Sequence, residues 1–310
     1  TAFIFPGQGS QLVGMGKDFA ADFSIARETF EHADSIMGRD FSRLMFEGPS
    51  EELDDTANTQ PALYICGVAL ARALQSERPE AIPCCAAGHS LGELTALTVA
   101  GALSFEAGVE LVKLRGQLMH DAGEKSPGAM AALLAVSVED VEALCRDASE
   151  QTGRPLVLAN DNCPGQVVIS GDSIALDAAL EMGKARGIKR TIRLTVSVAT
   201  HSPLMAPAEA EFAANVRATA FETPRVPVYA NISAQPLTTV DAIRAELEGQ
   251  LTRAVRWNAL TQAMIASGAQ TFVEIGPKNV LTGLLKRIDK EKVGINLDSV
   301  TTFHTFLGQI

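Results

Sequence analysis

The fold of this chain follows from residues 84–93, which read CCAAGHSLGE. The small apolar residues from Ile82 to Ala87 predict a short buried strand of a parallel sheet, and the apolar run from Leu91 to Ala102 predicts a helix. Between them, Ser90 lies in the pattern Gly-x-Ser-x-Gly. A strand, a tight turn and a helix around such a serine form the nucleophile elbow of serine acyl enzymes.

The elbow predicts that Ser90 forms an ester with an acyl group. The N-terminus of the following helix supplies free N–H groups and a positive dipole, which stabilise the oxyanion of acyl transfer. A serine that only caps the helix is the alternative interpretation. The motif leaves open whether the acyl group passes to water, as in a hydrolase, or to another carrier, as in a transferase.

Strands and helices alternate on both sides of the elbow and predict an α/β core with a mostly parallel sheet. Before it we predict a strand at Phe3–Phe5 and a helix over 59–76, with Pro61 in the first turn of that helix. After it, Ser104 is a candidate N-cap for an amphipathic helix from Phe105 to Met119. Further elements are predicted at 226–230, 240–251, 257–267 and 271–275, with a last helix after Pro277 and a frayed tail around His304.

The middle of the chain has a different order of elements. Strands are predicted at 129–138, 156–159, 167–170 and 191–196, and helices at 138–150 and 174–186, with a turn-rich segment at 160–165. This β-α-β-β-α-β order is ferredoxin-like. We therefore predict that residues 127–196 form a small inserted domain, and that residues 1–126 and 197–310 form the hydrolase-like core.

Composition restricts the classes of partner and location. The chain has 310 residues and a formal net charge of -11, which argues against nucleic acid as the main partner. Apolar runs stay below the ~18 residues of a membrane span, and the N-terminal residues 1–5 do not resemble a secretory signal. The five cysteines lack metal-type spacing and predict a reduced, cytoplasmic location without a metal site.

Ser90 needs a base, and five histidines are available. His89 is adjacent in sequence, where neighbouring side chains point apart, so it is a poor candidate. His201 lies in a loop just before a predicted helix start, and on position it is the best candidate.

Arg115 shares a helical face with apolar residues such as Leu111 and Met119. A guanidinium there needs an anion, which is either a protein carboxylate or a carboxylate of the substrate.

The turn after the first strand, Pro6-Gly-Gln-Gly-Ser-Gln11, lacks the third glycine of a dinucleotide-binding fingerprint, because Leu12 occupies that position. We reject a Rossmann interpretation, and the free N–H groups of this turn are candidates for a second oxyanion donor.

Two basic segments, 184–193 and 286–292, stand out from the acidic chain. Taken alone, each is interpreted as a solvated face.

With these residues in place, the chain resembles the malonyl-CoA:acyl carrier protein transacylases, the discrete acyltransferases of bacterial fatty acid synthesis. The resemblance covers nearly the whole chain, from residue 3 to about residue 288. The matching stretches, in chain order, are Phe5-Pro-Gly-Gln-Gly-Ser-Gln11, Gln60-Pro-Ala-Leu63, Gly88-His-Ser-Leu-Gly-Glu93, Arg115-Gly116, Gly128-Ala-Met-Ala-Ala132, Pro164-Gly-Gln-Val-Val-Ile169, His201 and Glu274-Ile-Gly-Pro277.

The resemblance implies a role for each site residue. Ser90 is the nucleophile and His201 its base. The backbone N–H groups of Gln8 and Leu91 form the oxyanion hole, and Arg115 binds the free carboxylate of the malonyl group. Three further roles are implied: the main-chain carbonyl of Gln250 orients the histidine, and Gln60 and Gln166 line the pocket.

The resemblance also implies the reaction and its partners. The malonyl group passes from malonyl-CoA to Ser90 and then to the phosphopantetheine thiol of acyl carrier protein, in a ping-pong exchange without a cofactor of its own. Because such carriers are typically acidic, the candidate docking residues in the two basic segments are Lys189, Arg190, Lys286 and Arg287. We expect a monomer with no membrane partner.

Two alternatives are a serine thioesterase or other hydrolase, and an extender-unit acyltransferase of a polyketide pathway. Ala199 and Thr200, just before His201, do not separate malonyl from methylmalonyl selection.

Overall fold

The computed structural model describes residues 1–194 and 198–308. In these residues the strands are β1 (Ala2–Phe5), β2 (Cys85–Gly88), β3 (Gly128–Leu134), β4 (Leu156–Cys163), β5 (Gln166–Asp172), β6 (Arg190–Arg193), β7 (Val228–Tyr229), β8 (Pro236–Leu237), β9 (Thr271–Ile275) and β10 (Val293–Leu297).

The helices of the same residues lie between these strands, except the last helix, which follows β10. They are α1 (Lys17–Asp22), α2 (Ser24–Met37), α3 (Phe41–Glu47), α4 (Ser50–Leu53), α5 (Thr56–Glu77), α6 (Gly92–Val99), α7 (Phe105–Lys125), α8 (Val138–Thr152), α9 (Ser173–Ala185), α10 (Ala206–Ala218), α11 (Val240–Glu248), α12 (Trp257–Ala266), α13 (Val280–Ile288) and α14 (Val300–Leu307), with a short 3₁₀ turn at Pro203–Met205 before α10. None of the helices in the described ranges is long and apolar enough to cross a membrane.

Six strands form a central sheet, called sheet A here, in the order β10-β9-β1-β2-β7-β8. Neighbours from β10 to β7 run parallel, and β8 pairs antiparallel with β7. Every residue of β1 is buried because helices cover both faces of the sheet. Alternate side chains serve opposite faces: Phe3 and Phe5 join one core cluster, while Ala2 and Ile4 join another.

Sheet B contains the other four strands in the order β4-β5-β3-β6, and all of its pairs are antiparallel. Its elements follow the predicted β-α-β-β-α-β order, so the predicted fold class is confirmed. One face packs under α8 and α9 through residues such as Leu133 and Ile169. The other face carries Met130, Ala132, Ala159 and Val168. The limits 127 and 196 of a separate domain stay a prediction, and residue 196 lies outside the described residues.

Several predicted boundaries in sheet B are wrong. The turn-rich segment 160–165 is mostly strand, since β4 and β5 extend to a tight turn at Pro164-Gly165. β3 ends at Leu134 rather than at 138, because the Ser137 side chain caps α8 by accepting from the Asp140 N–H. The predicted strand 191–196 spans Arg190–Arg193, and its residues 195 and 196 lie outside the described residues.

Two further predictions outside sheet B are corrected. Helix α5 begins at Thr56, because Asp55 caps it by accepting from the Ala57 N–H, so Pro61 lies in the second turn and not in the first. The chain after α13 is not a frayed tail. Strand β10 extends sheet A, and α14 begins with a capping box at Ser299 and buries Phe303.

Candidate active site

The turn at Ser90 joins the end of β2 to α6 with a strained backbone. Ser90 has φ 52°, in the left-handed region. A Cβ on Gly88 would lie 1.9 Å from the Gly92 carbonyl, and a Cβ on Gly92 would lie 2.3 Å from the Phe5 oxygen. Positions 88 and 92 must therefore both be glycine. Asn231, just after β7, fastens the turn: its side chain accepts from the Ser90 N–H at 2.7 Å and donates to the Gly88 carbonyl at 2.8 Å.

His201 is the histidine that meets the serine. Its Nε2 lies 2.8 Å from Ser90 Oγ, and its Nδ1 lies 2.9 Å from the Gln250 carbonyl and 3.0 Å from the Arg253 carbonyl. A carbonyl only accepts, so Nδ1 carries the proton and Nε2 is free to accept the serine proton. Burial, and then the charge of Arg115, lowers the pKa of His201 to about 3, so the ring is neutral at pH 7.

His89 is directed away from the Ser90 hydroxyl. Its Nε2 lies 2.9 Å from Asn162 Oδ1, and its ring packs 5.5 Å from the ring of Trp257. Burial lowers the pKa of His89, so this ring is held neutral as well. The Gln250 carbonyl expected at His201 is present, and the Arg253 carbonyl is an addition that no side-chain pattern signals. In the described part of the chain, no aspartate or glutamate bonds to His201.

Arg115 is 1% exposed and lies beside the serine. It donates to Gln60 Oε1 at 2.5 Å, to Gln250 Oε1 at 3.0 Å and to Ser90 Oγ at 3.1 Å. Its Nε has no partner. Across residues 1–194 and 198–308, no carboxylate lies within 4 Å of it to form an ion pair. Burial lowers its pKa to about 10, so the guanidinium stays charged at pH 7. The first of the two predicted anions, a protein carboxylate, does not pair with Arg115 in the described residues. The amide oxygens of Gln60 and Gln250 accept from the guanidinium instead.

A cavity of about 100 Å³ opens onto these groups, and both sheets contribute to its lining. Its lining residues are Gln8, His89, Ser90, Leu91, Arg115, Met119, Met130, Asn160, Leu194, Thr200 and His201. In the described residues, neither the Gln8 nor the Leu91 backbone N–H donates a hydrogen bond. Two free donors beside a nucleophile fit an oxyanion hole. The role of both residues stays a prediction.

The structure separates the two glutamines expected in the pocket. Gln60 is buried behind the cavity, where it contacts Arg115 and donates to Thr56 Oγ1 at 2.9 Å. Gln166 is not among the lining residues. Its side chain lies on the outside at the start of β5 and accepts from Arg287 at 2.6 Å. In the described residues neither Gln60 nor Gln166 lines this cavity, and the pocket role of both stays a prediction.

The four candidate docking residues are exposed at two places. Lys189 and Arg190 lie at the start of edge strand β6, and Lys286 and Arg287 lie in the last turn of α13. Other cations of the first basic segment are already neutralised, since Lys184, Arg186 and Arg193 pair with carboxylates. The four candidates form no ion pair within the described residues.

Three side chains that shape the site were missed from sequence. Asn231 follows a strand end of a parallel sheet, where ligand-binding residues collect, and this rule could have found it. Met130 and Asn160 reach the cavity from sheet B, and their position beside it depends on how the two sheets pack together, which no local pattern encodes.

Comparison with known proteins gives a consistent set of relatives. The family model described as "Acyl transferase domain" matches residues 2–302. The chain is 44% identical over 287 residues to the malonyl CoA-acyl carrier protein transacylase of Escherichia coli K12, covering 93% of this chain and 92% of the relative. It is 40% identical to the enzyme of the same name from Haemophilus influenzae, over 98% of this chain and 96% of the relative.

Solved structures match as well. The crystal structure of malonyl-CoA:acyl carrier protein transacylase from Xanthomonas oryzae superposes with a TM-score of 0.95 at 40% identity, over 99% of this chain and 97% of that one. A malonyl-transacylase in complex with its type II polyketide acyl carrier protein superposes with a TM-score of 0.96 at 38% identity, over 100% and 99% of the two chains.

Proposed function

The chain belongs to the acyl transferase domain family and, within it, to the malonyl-CoA–acyl carrier protein transacylases, and from this premise we propose that Ser90 carries the malonyl group between the two substrates. The chain is an acyltransferase that moves malonyl from malonyl-CoA to acyl carrier protein. The observation that best supports these residue roles is the environment of Arg115. Its buried guanidinium has only neutral partners and lies 3.1 Å from Ser90 Oγ, so an acyl group on that oxygen meets a site for a free carboxylate.

The first half-reaction forms the malonyl-Ser90 ester. His201 Nε2 removes the hydroxyl proton as Ser90 Oγ attacks the thioester carbonyl carbon. The oxyanion forms next to the N–H groups of Gln8 and Leu91, each of which contributes roughly 2.7–4 kcal/mol to the transition state. The C–S bond then breaks, and the thiolate of coenzyme A takes the proton from His201.

The second half-reaction runs the same chemistry backward with a different thiol. His201 deprotonates the phosphopantetheine thiol of the carrier protein, its sulfur attacks the ester carbonyl, and Ser90 recovers its proton. A thiol has a pKa of about 8.5, whereas that of water is about 15.7. Because the thiol is far more acidic than water, we propose that His201, oriented by two neutral carbonyls in place of a carboxylate, favours attack by the thiol over hydrolysis.

The phosphopantetheine arm belongs to the carrier, so we propose that the enzyme needs no cofactor or metal of its own. Lys286, Arg287, Lys189 and Arg190 are the proposed docking residues for an acidic carrier. Five free cysteines support a reducing, cytoplasmic location as part of the proposal. The proposed pathway is fatty acid synthesis. If the enzyme prefers a polyketide carrier over a fatty acid carrier, the pathway is polyketide synthesis instead.

One experiment tests whether Ser90 forms the malonyl ester. The protein is incubated with malonyl-CoA, and intact mass and peptide mapping locate the adduct. Holo acyl carrier protein or buffer alone is then added. We expect a malonyl adduct on Ser90 that the carrier removes quickly and water removes slowly, with no adduct in Ser90→Ala. Rapid release of free malonate without carrier would instead identify a hydrolase.

A further inference from the structure

Glu93, the last residue of the CCAAGHSLGE stretch, has no role in the mechanism given so far. It lies in the first turn of α6 and is fully buried. In the described ranges no lysine, arginine or histidine lies within ion-pair distance of it. Its two oxygens instead accept from two N–H donors: the backbone N–H of Asn231 at 3.1 Å, and Nε2 of Gln250. A buried carboxyl group without a cation is costly, so its position requires a reason.

The two donors are the residues that hold the reacting groups. The Asn231 side chain accepts from the Ser90 N–H. The Gln250 backbone carbonyl orients His201, and its side-chain Oε1 accepts from Arg115 at 3.0 Å. The Gln250 Nε2 also donates to the Ser90 carbonyl at 3.1 Å. Glu93 therefore bonds to both of the residues that position Ser90, His201 and Arg115.

Glu93, together with the Ser90 carbonyl, sets the orientation of the Gln250 amide. An amide has an acceptor on one side and donors on the other, whereas a carboxylate only accepts. With Glu93 on one side, Gln250 must direct its NH₂ group there, and its oxygen then faces Arg115. A flipped amide would place its NH₂ group against the guanidinium donors and its oxygen against the Glu93 oxygen, so both hydrogen bonds would be lost.

We propose that Glu93 is a positioning residue for acyl-group selection, which holds the Gln250 oxygen on Arg115 and thereby keeps the guanidinium aimed at the free carboxylate of the malonyl group. The inference rests on the proposed function and deepens it. A carboxylate placed directly on Arg115 would occupy the site of the substrate carboxylate. Through the Gln250 amide, Glu93 orients the cation without pairing with it.

Burial, and then the nearby Glu246, raises the pKa of Glu93, while its N–H donors oppose the shift. The polarity argument requires only that both oxygens facing Asn231 and Gln250 accept. Both do so in the structure.

The test is Glu93→Gln, which keeps the shape and replaces one acceptor by a donor. The new NH₂ group faces either the Asn231 N–H or the Gln250 NH₂ group, and turning Gln250 over relieves the second conflict at the expense of Arg115. We expect kcat/KM for malonyl-CoA relative to acetyl-CoA to fall about tenfold to a hundredfold, since a buried donor is left unsatisfied. The loss should appear as a higher KM for malonyl-CoA, with acetyl transfer changed much less.

Glu274→Gln is the matched control. Glu274 is also fully buried, and its carboxylate caps α13 through Leu281 and Thr282, with no contact to the site. We expect this variant to lose stability in thermal unfolding but to keep the malonyl-to-acetyl ratio of the parent. A second test is Gln250→Met, which removes the amide between Glu93 and Arg115 and should lower the ratio as Glu93→Gln does.

The reciprocal exchange sharpens the test. In Glu93→Gln combined with Gln250→Glu, the amide donates to the new carboxylate, whose other oxygen faces Arg115. We expect malonyl transfer to stay low, because the protein now pairs the guanidinium, while acetyl transfer persists. An unchanged malonyl-to-acetyl ratio in both Glu93→Gln and Gln250→Met, or an equal loss for both substrates, would overturn the positioning role. Absence of any malonyl-Ser90 adduct in the parent protein would overturn the proposed function instead.

Discussion

Sheet A and sheet B meet at the same cavity and contribute to it in opposite ways. In sheet A, the neighbouring parallel strands β1, β2 and β7 all end at one edge, and the residues just beyond them include Gln8, Ser90 and Asn231. Sheet B is antiparallel and presents a face rather than an edge, from which Met130 and Asn160 reach the cavity. The parallel sheet thus positions Ser90, which His201 and Arg115 reach from the loop before α10 and from α7, and the antiparallel sheet provides a wall.

The difference has a physical origin. A parallel sheet collects loops and helix N-termini at its carboxyl edge, where free N–H groups stabilise an anion. In an antiparallel sheet, neighbouring strands end at opposite edges, and the side chains stand out from its faces. If this comparison is correct, changes beyond the strand ends of sheet A should stop the chemistry, and changes on sheet B should alter only which acyl group or carrier is accepted.

The largest effect is expected for His201→Ala. The variant leaves Ser90 without a proton acceptor, so malonylation by malonyl-CoA should slow by roughly 10²–10⁴-fold, the usual contribution of a general base. Rapid-quench mass spectrometry of the Ser90 adduct measures this rate. His89→Ala is the matched control, because His89 bonds to Asn162 and not to Ser90. An equal loss in both variants would contradict the assignment of the base.

Arg115→Ala should change the choice of acyl group more than the chemistry. Acetyl-CoA has no second carboxylate and leaves the buried guanidinium unpaired, which costs about 3–5 kcal/mol. That difference corresponds to about two to four orders of magnitude in favour of malonyl, and it should disappear in the variant. Competition between malonyl-CoA and acetyl-CoA, read as adducts on Ser90, measures it. A variant that keeps the parent ratio would show that another group reads the carboxylate.

The pH dependence of Ser90 acylation distinguishes the buried base from an ordinary histidine. Burial and the charge of Arg115 hold the pKa of His201 at about 3, below the usual 6.5, so its basic neutral form persists as the pH falls. The malonylation rate should therefore stay flat from pH 8 to 5.5, where an ordinary histidine would already lose about tenfold. In Arg115→Ala, the loss of a neighbouring cation raises the pKa, so the acid limb should move upward. An inflection near 6.5 in the parent protein would refute the burial argument.

The sequence predicted the side chains that meet in the site better than the groups that support them. Ser90, His201 and Arg115 are distinguished by residue type, and their chemistry requires an elbow, a base and an anion, so local patterns identify them. The Arg253 carbonyl could not be found in this way, since every residue has a carbonyl and only the loop geometry aims this one at His201.

Secondary structure shows the same division. The order of strands and helices follows from apolar patterns, and the class of fold was confirmed. Element ends depended on single caps such as Asp55 and Ser137, and these moved the start of α5 and the end of β3. Gln166 was placed in the pocket from resemblance, and the structure directs its side chain to Arg287 on the outer surface.

Met130→Ala tests the wall formed by sheet B. Met130 lies on the face of β3 that lines the cavity, while its neighbours Ala129 and Ala131 pack under α8 and α9. The truncation enlarges a cavity of about 100 Å³, so a branched acyl group should fit better. We expect methylmalonyl-CoA to gain roughly tenfold relative to malonyl-CoA, at the low end of the effect of one methylene in a pocket. Ala131→Gly, on the opposite face, is the control and should leave the ratio unchanged.

The smallest effect is expected from the surface charges, which can place the carrier on sheet B or on the core. Arg190 begins the edge strand β6 of sheet B and Lys189 directly precedes it, whereas Lys286 and Arg287 belong to α13 beside sheet A. Arg287 also donates to the Pro164 carbonyl at 3.1 Å and so joins the two parts. Exposed charges steer association and are screened by salt, so each reversal should have a modest effect.

Charge reversal of each pair separates the two docking faces. Lys286→Glu with Arg287→Glu, and Lys189→Glu with Arg190→Glu, are compared at low and high salt. The pair that meets the carrier should raise its KM about threefold to tenfold at low salt, with the difference shrinking as salt is added. The KM for malonyl-CoA should not change, because charge pairing with the carrier plays no part in acylation. If both reversals raise the two KM values equally, the charges support the fold or the entry to the cavity, and neither sheet carries the docking face.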